Sequence, residues 1–203
     1  MRYYFLLVLL VSVTGLWSQS LEVMPGTERL FVDAQWLKSL DEDYRWTLFS
    51  RSRATAEYDN NQTDLFTGAY LNYTTTSGLG TTLVGRISSR EAGLDIGIHY
   101  FKANKNFLIY ALPSVSLKSS LNYSWFSIIR YTPVLGEKTR LYSSLELFAA
   151  FRQSQYLASV QRLRLGLDLQ GYQFGLALNL SGLGDDFPGS DINPGLFIRK
   201  QFN

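Results

Sequence analysis

From residue 28 to residue 202, apolar and polar side chains alternate with a period of two. In 44–58 one register reads Tyr44, Trp46, Leu48, Ser50, Ser52, Ala54, Ala56 and Tyr58. The other reads Arg45, Thr47, Phe49, Arg51, Arg53, Thr55 and Glu57. A helix would scatter these charges around its circumference, whereas an extended strand puts them all on one face. The pattern recurs. Leu94, Ile96, Ile98 and Tyr100 oppose Asp95, Gly97 and His99. Leu141, Leu145 and Leu147 oppose Arg140, Tyr142, Ser144, Glu146 and Arg152, and Leu163, Leu165 and Leu167 oppose Arg162, Arg164 and Asp168. Turn-forming clusters separate the runs, among them Asp41-Glu42-Asp43, Thr76-Ser77-Gly78, Asn104-Lys105-Asn106 and Gln170-Gly171.

Eleven such runs lie between 28 and 202. Most reach the roughly 9–11 residues that a tilted strand needs to cross a bilayer. Strands of soluble sheets usually stop at about five or six. Alternation of this kind fits two architectures of opposite polarity. A soluble lipocalin-like carrier turns its apolar register inward. A transmembrane barrel turns it outward to lipid and keeps the charges in the lumen.

Aromatic positions favour the second. Trp36, Tyr44, Tyr73, Tyr100, Phe107, Tyr131, Tyr172 and Phe202 cluster at one set of strand ends, and Tyr58, Tyr123 and Phe151 at the other. Two such belts match the two membrane–water interfaces, where amphipathic rings collect.

The N-terminus adds an export signal. Arg2 precedes an apolar run, Phe5 to Val13, broken only by Ser12, and Gly15 to Ser18 form an exit with small residues. Residues 1–18 are expected to be a signal peptide cleaved after Ser18, the run being too short for a spanning helix. Residues 19–28 are then a lead or a short first strand, and 29–203 the barrel. Membrane barrels usually have even strand numbers. Counting 20–27 as a strand makes twelve, although Pro25 and the short length argue against a full span; ten is the alternative. The expectation is an all-β, antiparallel, up-and-down transmembrane barrel. The connection 182–193, the longest, is expected on the outer side.

An exported, cysteine-free chain ending in GLFIRKQFN resembles Gram-negative outer-membrane β-barrel proteins. The short connections in LKSLDEDYRW, YFKANKNF and YTPVLGEKTRLY are similar to those of small short-loop barrels of the Bacteroidetes type. The resemblance implies residence in the cell outer membrane, with outer-membrane lipid as the surroundings. It also implies that the barrel-insertion machinery reads Phe202 as the C-terminal assembly signal. Asn203 after it departs from the usual terminal aromatic.

Composition narrows function further. The 203 residues carry a formal charge of +2, which leaves no basic footprint for nucleic acid. With no cysteine and one histidine, disulfide scaffolds, thiol chemistry and His-rich metal sites are excluded. The polar register is less balanced than the whole chain. It holds Asp33, Arg45, Arg51, Arg53, Glu57, Arg86, Asp95, His99, Lys118, Arg130, Arg140, Glu146, Arg152, Arg162, Arg164, Asp168 and Arg199. These are the expected lumen-lining residues. They support either a lumen filled by paired side chains or a narrow pore that favours small anionic solutes. A hydrolase built on His99, with Asp95, Arg86, Ser88 or Ser89 nearby, lacks a recognisable nucleophile motif. The expectation is therefore no enzyme, no catalytic residue and no cofactor. Asp185, Asp186 and Asp191 match no EF-hand spacing, so no metal site is expected either.

Overall fold

The computed structural model describes residues 19–59, 62–89, 91–118, 122–153, 155–184 and 190–202. The expected signal peptide, Asp185, Asp186 and Asn203 lie outside the described residues. The described chain folds into strands β1 (Gln19–Pro25), β2 (Arg29–Ser39), β3 (Trp46–Glu57), β4 (Thr63–Thr74), β5 (Leu79–Ser88), β6 (Ala92–Ala103) and β7 (Phe107–Ser116). These are followed by β8 (Asn122–Tyr131), β9 (Val134–Gly136), β10 (Thr139–Arg152), β11 (Gln155–Leu169), β12 (Tyr172–Leu183) and β13 (Asp191–Phe202).

Each wall strand pairs antiparallel with its neighbours, and β1 pairs with β13, with Gln19 opposite Phe202 and Val23 opposite Ile198. That pairing removes both sheet edges. The segment β9 folds back on β10 and is no part of the wall, because β8 passes it to pair with β10. The wall therefore has twelve strands. The segment containing Pro25 is one of them, tolerated because the proline, which lacks an N–H, stands at the strand's last position. At the other extreme, the connection expected over 182–193 is shorter. Leu183 still belongs to β12 and Asp191 already to β13.

The polarity is that of a transmembrane barrel. Leu163, Leu165, Leu176, Leu196 and Ile198 stand on the outer surface, each about half exposed, while Arg51, Arg164, Asp33 and Glu146 are buried inside. A soluble carrier requires the reverse, so that alternative is overturned. Both described termini lie at one rim, where Gln19 sits beside Trp36 and Phe202. The aromatic belt extends around this terminal rim: Trp46 packs on Tyr73 at 5.0 Å, Phe107 faces Tyr131, and Lys200 lies 3.5 Å over the Tyr172 ring. At the opposite rim Phe151 meets Tyr156 edge to face, next to Tyr123. The turn Gln170-Gly171 takes positive φ at both residues (55° and 84°), the two-residue hairpin geometry that suits twisted strands.

One row across four strands shows how the interior is shaped. Tyr142, Gly166, Gly175 and Phe197 stand side by side on β10, β11, β12 and β13. The two rings lean together over the two glycines, 5.6 Å between centroids. A Cβ on Gly166 would lie 2.0 Å from the Phe174 carbonyl oxygen, and one on Gly175 2.2 Å from that of Leu165. Glycine is thus required for the close approach that brings the rings together.

Candidate functional site

The lumen is where the polar register converges, and its cross-section has two unlike halves. The polar half joins β2 and β3 to β10 and β11. Arg51 on β3 donates from Nε and Nη2 to the two oxygens of Asp33, at 2.6 and 3.0 Å. Its third arm, Nη1, reaches across to Glu146 on β10 at 2.5 Å. Glu146 also accepts from Arg53 Nη2 at 2.6 Å and from Arg162 on β11. Bidentate, charge-assisted bonds of this kind fix direction as well as charge. They tie opposite walls of the barrel together through side chains alone.

A second cluster adjoins the first. Arg164 donates to Glu22 on β1 at 2.9 Å and to Asn179 Oδ1 at 2.9 Å. Arg199 donates to Tyr142 Oη, Ser20 Oγ and Gln35 Oε1, all neutral acceptors. Arg130 faces the Tyr142 ring, its Cζ 5.7 Å from the centroid. Neither Arg130 nor Arg199 reaches a carboxylate among the described residues, and the Nε of each is buried without a partner. The cavity left between these groups measures only about 20 Å³.

The other half of the lumen holds an apolar cluster, which the alternation did not foretell. Tyr70, Val84, Leu112 and Phe126 form a buried cluster, with Phe49, Ile128 and Phe148 packed against it. Met24, Phe31 and Phe197 join Tyr142 in a second. The inner face is thus not carried by the polar register alone: large apolar side chains fill part of the interior, and Phe31 and Phe197 pack directly against the Arg162 and Arg164 guanidiniums. Above the first cluster, toward the opposite rim, a chamber of about 270 Å³ opens beside Arg53, Arg86 and Arg162.

The sequence-predicted residues divide accordingly. Arg51, Arg53, Arg130, Glu146, Arg162, Arg164 and Arg199 meet at mid-barrel, together with Asp33. Arg86 pairs with Asp95 at 2.8 Å and with Glu91 at 2.7 Å on the chamber wall. Others belong to the rims rather than the lumen. Arg45 is exposed in the β2–β3 turn, 3.7 Å from Asp43. Glu57 pairs with Arg29 at 2.9 Å, and Arg152 leans on Asn122. Arg140 clamps the terminal-rim connections through the carbonyls of Thr132 and Lys105 and the Asn106 side chain. Asp168 caps its hairpin by accepting from the Gly171 N–H and Gln173. Lys118 is an exposed rim residue 3.8 Å from Glu91. All occupy strand ends, where the alternating register runs out into solvent.

His99 sits apart. Thr82 Oγ1 donates to Asn72 Oδ1, so His99 Nδ1–H donates to Thr82 at 2.8 Å, and His99 Nε2 accepts from Thr74 Oγ1 at 2.9 Å. The ring also stacks on Tyr110, 5.6 Å between centroids. Neither Ser88 nor Ser89 is among these partners. Asp191, considered above as an acidic-loop ligand, pairs instead with Arg29 at 2.8 Å. Sequence reasoning passed over Glu22, although continuing the alternation through Leu21, Glu22, Val23 and Met24 would have placed it inside.

No protein-family model matches the chain, and no curated protein does. Solved structures do match. The KdgM porin in complex with disordered oligogalacturonate superposes with a TM-score of 0.54 at 9% identity, covering 92% of this chain and 100% of that one. The NanC porin gives 0.53 at 9% identity, covering 92% and 98%. At this identity the likeness is one of fold. The chain is a closed twelve-stranded transmembrane β-barrel, porin-like in architecture.

Proposed function

We propose that the protein resides in the outer membrane as a barrel closed across its middle by its own side chains, with an interior that favours anions. One observation carries this reading: the side chains that meet at mid-barrel leave only about 20 Å³ between them, enough for one water-sized species. Cross-lumen bonds from Arg51 and Arg53 to Glu146 occupy one half and the aromatic cluster the other. The rim that carries the 184–190 connection faces outward and presents the chamber to the exterior. Phe202 serves as the signal read by the insertion machinery. The role is structural or binding rather than catalytic, a reading supported by His99, whose hydrogen bonds go to two threonines.

A narrow anion-favouring pore is the second reading. It is favoured by Arg130 and Arg199, which leave the interior with more guanidinium than carboxylate. KdgM, solved with oligogalacturonate, suggests anionic solutes as the class to try.

Planar-bilayer recording separates the two. The closed barrel gives no single-channel steps, and Arg51→Ala/Arg162→Ala, which removes two of the three guanidiniums on Glu146, gives steps. Steps from the unaltered protein, with a reversal potential shifted toward the anion in a salt gradient, support the pore instead. Cation-selective steps contradict both.

A further inference from the structure

We infer that the small mid-barrel cavity holds a resident monatomic anion of the halide class, seated between Arg130 and Arg199. The inference rests on the lumen being closed, since an open channel would supply water and mobile ions to the same groups.

The cavity wall carries five guanidiniums and three carboxylates. Those carboxylates are already engaged. Asp33 and Glu146 take Arg51, Arg53 and Arg162, and Glu22 takes Arg164. Nothing negative remains for Arg130 and Arg199 among the described residues. Arginine does not shed its proton in proteins. A buried, uncompensated charge costs several kcal/mol; Arg199 is one, and the partly buried Arg130 stands beside it. Burial removes solvent as the remedy for Arg199, which is 7% exposed.

The donors are also in place. Arg199 spends its Nη groups on Tyr142, Ser20 and Gln35, and its Nε–H has no acceptor. Arg130 makes a ring contact with Tyr142, and its Nε–H is likewise without an acceptor. Tyr142, fully buried, touches both, so the two guanidiniums flank one residue. Ser144 lines the same space and adds a hydroxyl donor. About 20 Å³ is the room that one water-sized species takes, which favours a monatomic anion over an organic one. A halide needs no directional acceptor geometry, only converging donors and positive charge.

The test uses the full mature barrel in detergent, with bromide and chloride as probes. Crystals grown in sodium bromide should show an anomalous peak between Arg130 and Arg199 that is absent in Arg199→Gln. Unfolding in chloride should be roughly tenfold slower than in gluconate at equal ionic strength, and this difference should shrink below about twofold in Arg199→Gln. Should that variant not fold, Arg130→Gln replaces it, and the bromide peak in the unaltered protein stands by itself. An empty cavity in bromide, with equal unfolding rates in both salts, overturns the inference. A bromide peak in a barrel that conducts overturns the closed lumen and leaves the site. A silent barrel without a peak overturns the site and leaves the closed lumen.

Discussion

Glu146→Gln keeps the shape of the side chain and removes its charge, and three guanidiniums converge on that charge. Arg51 lies 2.5 Å from it and Arg53 2.6 Å; Arg162 is its third partner. The first two retain Asp33, at 2.6 and 3.4 Å. Arg162 has no second carboxylate among the described residues, only the Phe31 ring at 5.0 Å, and its Nε is already unpartnered. The substitution therefore strands one buried cation outright and weakens the partnering of two others. Stranding one partner of a buried pair costs about 3–5 kcal/mol. The expected loss is in that range, read from urea unfolding in phospholipid vesicles followed by tryptophan fluorescence. Arg162→Met, which removes the cation and keeps volume, should cost about 1 kcal/mol or less, because Glu146 keeps two partners. Glu146→Gln/Arg162→Met should then be more stable than Glu146→Gln alone. A loss below about 1 kcal/mol for the single Gln variant, or a double variant no better than it, would refute the argument that charge pairing holds the two walls together.

Other substitutions probe other parts of the barrel. Leu165→Arg puts a charge on the outer face and should cost about 2–4 kcal/mol in the same vesicle assay if mid-barrel leucines contact lipid. Gly166→Ala should cost about 1–3 kcal/mol, since the new methyl meets the Phe174 carbonyl, and near-ultraviolet circular dichroism should report the displaced Tyr142 ring. Thr82→Val takes the acceptor from His99 Nδ1–H and one of two donors from Asn72 Oδ1, which keeps Tyr110, and should cost about 1–3 kcal/mol by urea titration. Phe202→Ala should lower the amount of assembled barrel in cells while leaving the melting midpoint of refolded protein within about 2–4 °C of wild type, as for a surface change of under 1 kcal/mol.

The wall of the barrel was legible because the period of two runs through the middle of each strand, the β10–β11 register shift lying near the strand end at Ala150 and Phe151. Leu163, Leu165 and Leu167 fall outside and Arg162 and Arg164 inside whatever the neighbouring strands do. The twelfth strand was marginal for an equally physical reason: Pro25 removes one ladder donor, and besides its hairpin with β2 the segment becomes a wall strand through its pairing with β13, at least 175 residues away in sequence (198 − 23). The interior was read less well. Alternation assigns a face but does not say how far along the lumen a side chain sits. Arg45, Arg140 and Arg152 share a face with Arg51 and Glu146 yet end at the rims. Nor does it say which inward position is polar by need and which is apolar for volume, so Leu112 and Phe126 went unnoticed among serines and tyrosines. The imbalance of guanidinium over carboxylate was legible as a count, but its concentration at Arg130 and Arg199 depends on cross-lumen pairing that no local pattern encodes.

The orientation of the two registers toward lipid and lumen is tested most directly by depth-resolved quenching. The chain has no cysteine of its own, so single substitutions Leu165→Cys, Leu176→Cys, Ile198→Cys, Ser144→Cys and Thr55→Cys can each carry one environment-sensitive fluorophore. In vesicles containing lipids brominated along the acyl chains, the first three should be strongly quenched and the last two unaffected. Quenching at Ser144 and Thr55 with protection at Leu165, Leu176 and Ile198 would contradict the architecture on which every other statement depends.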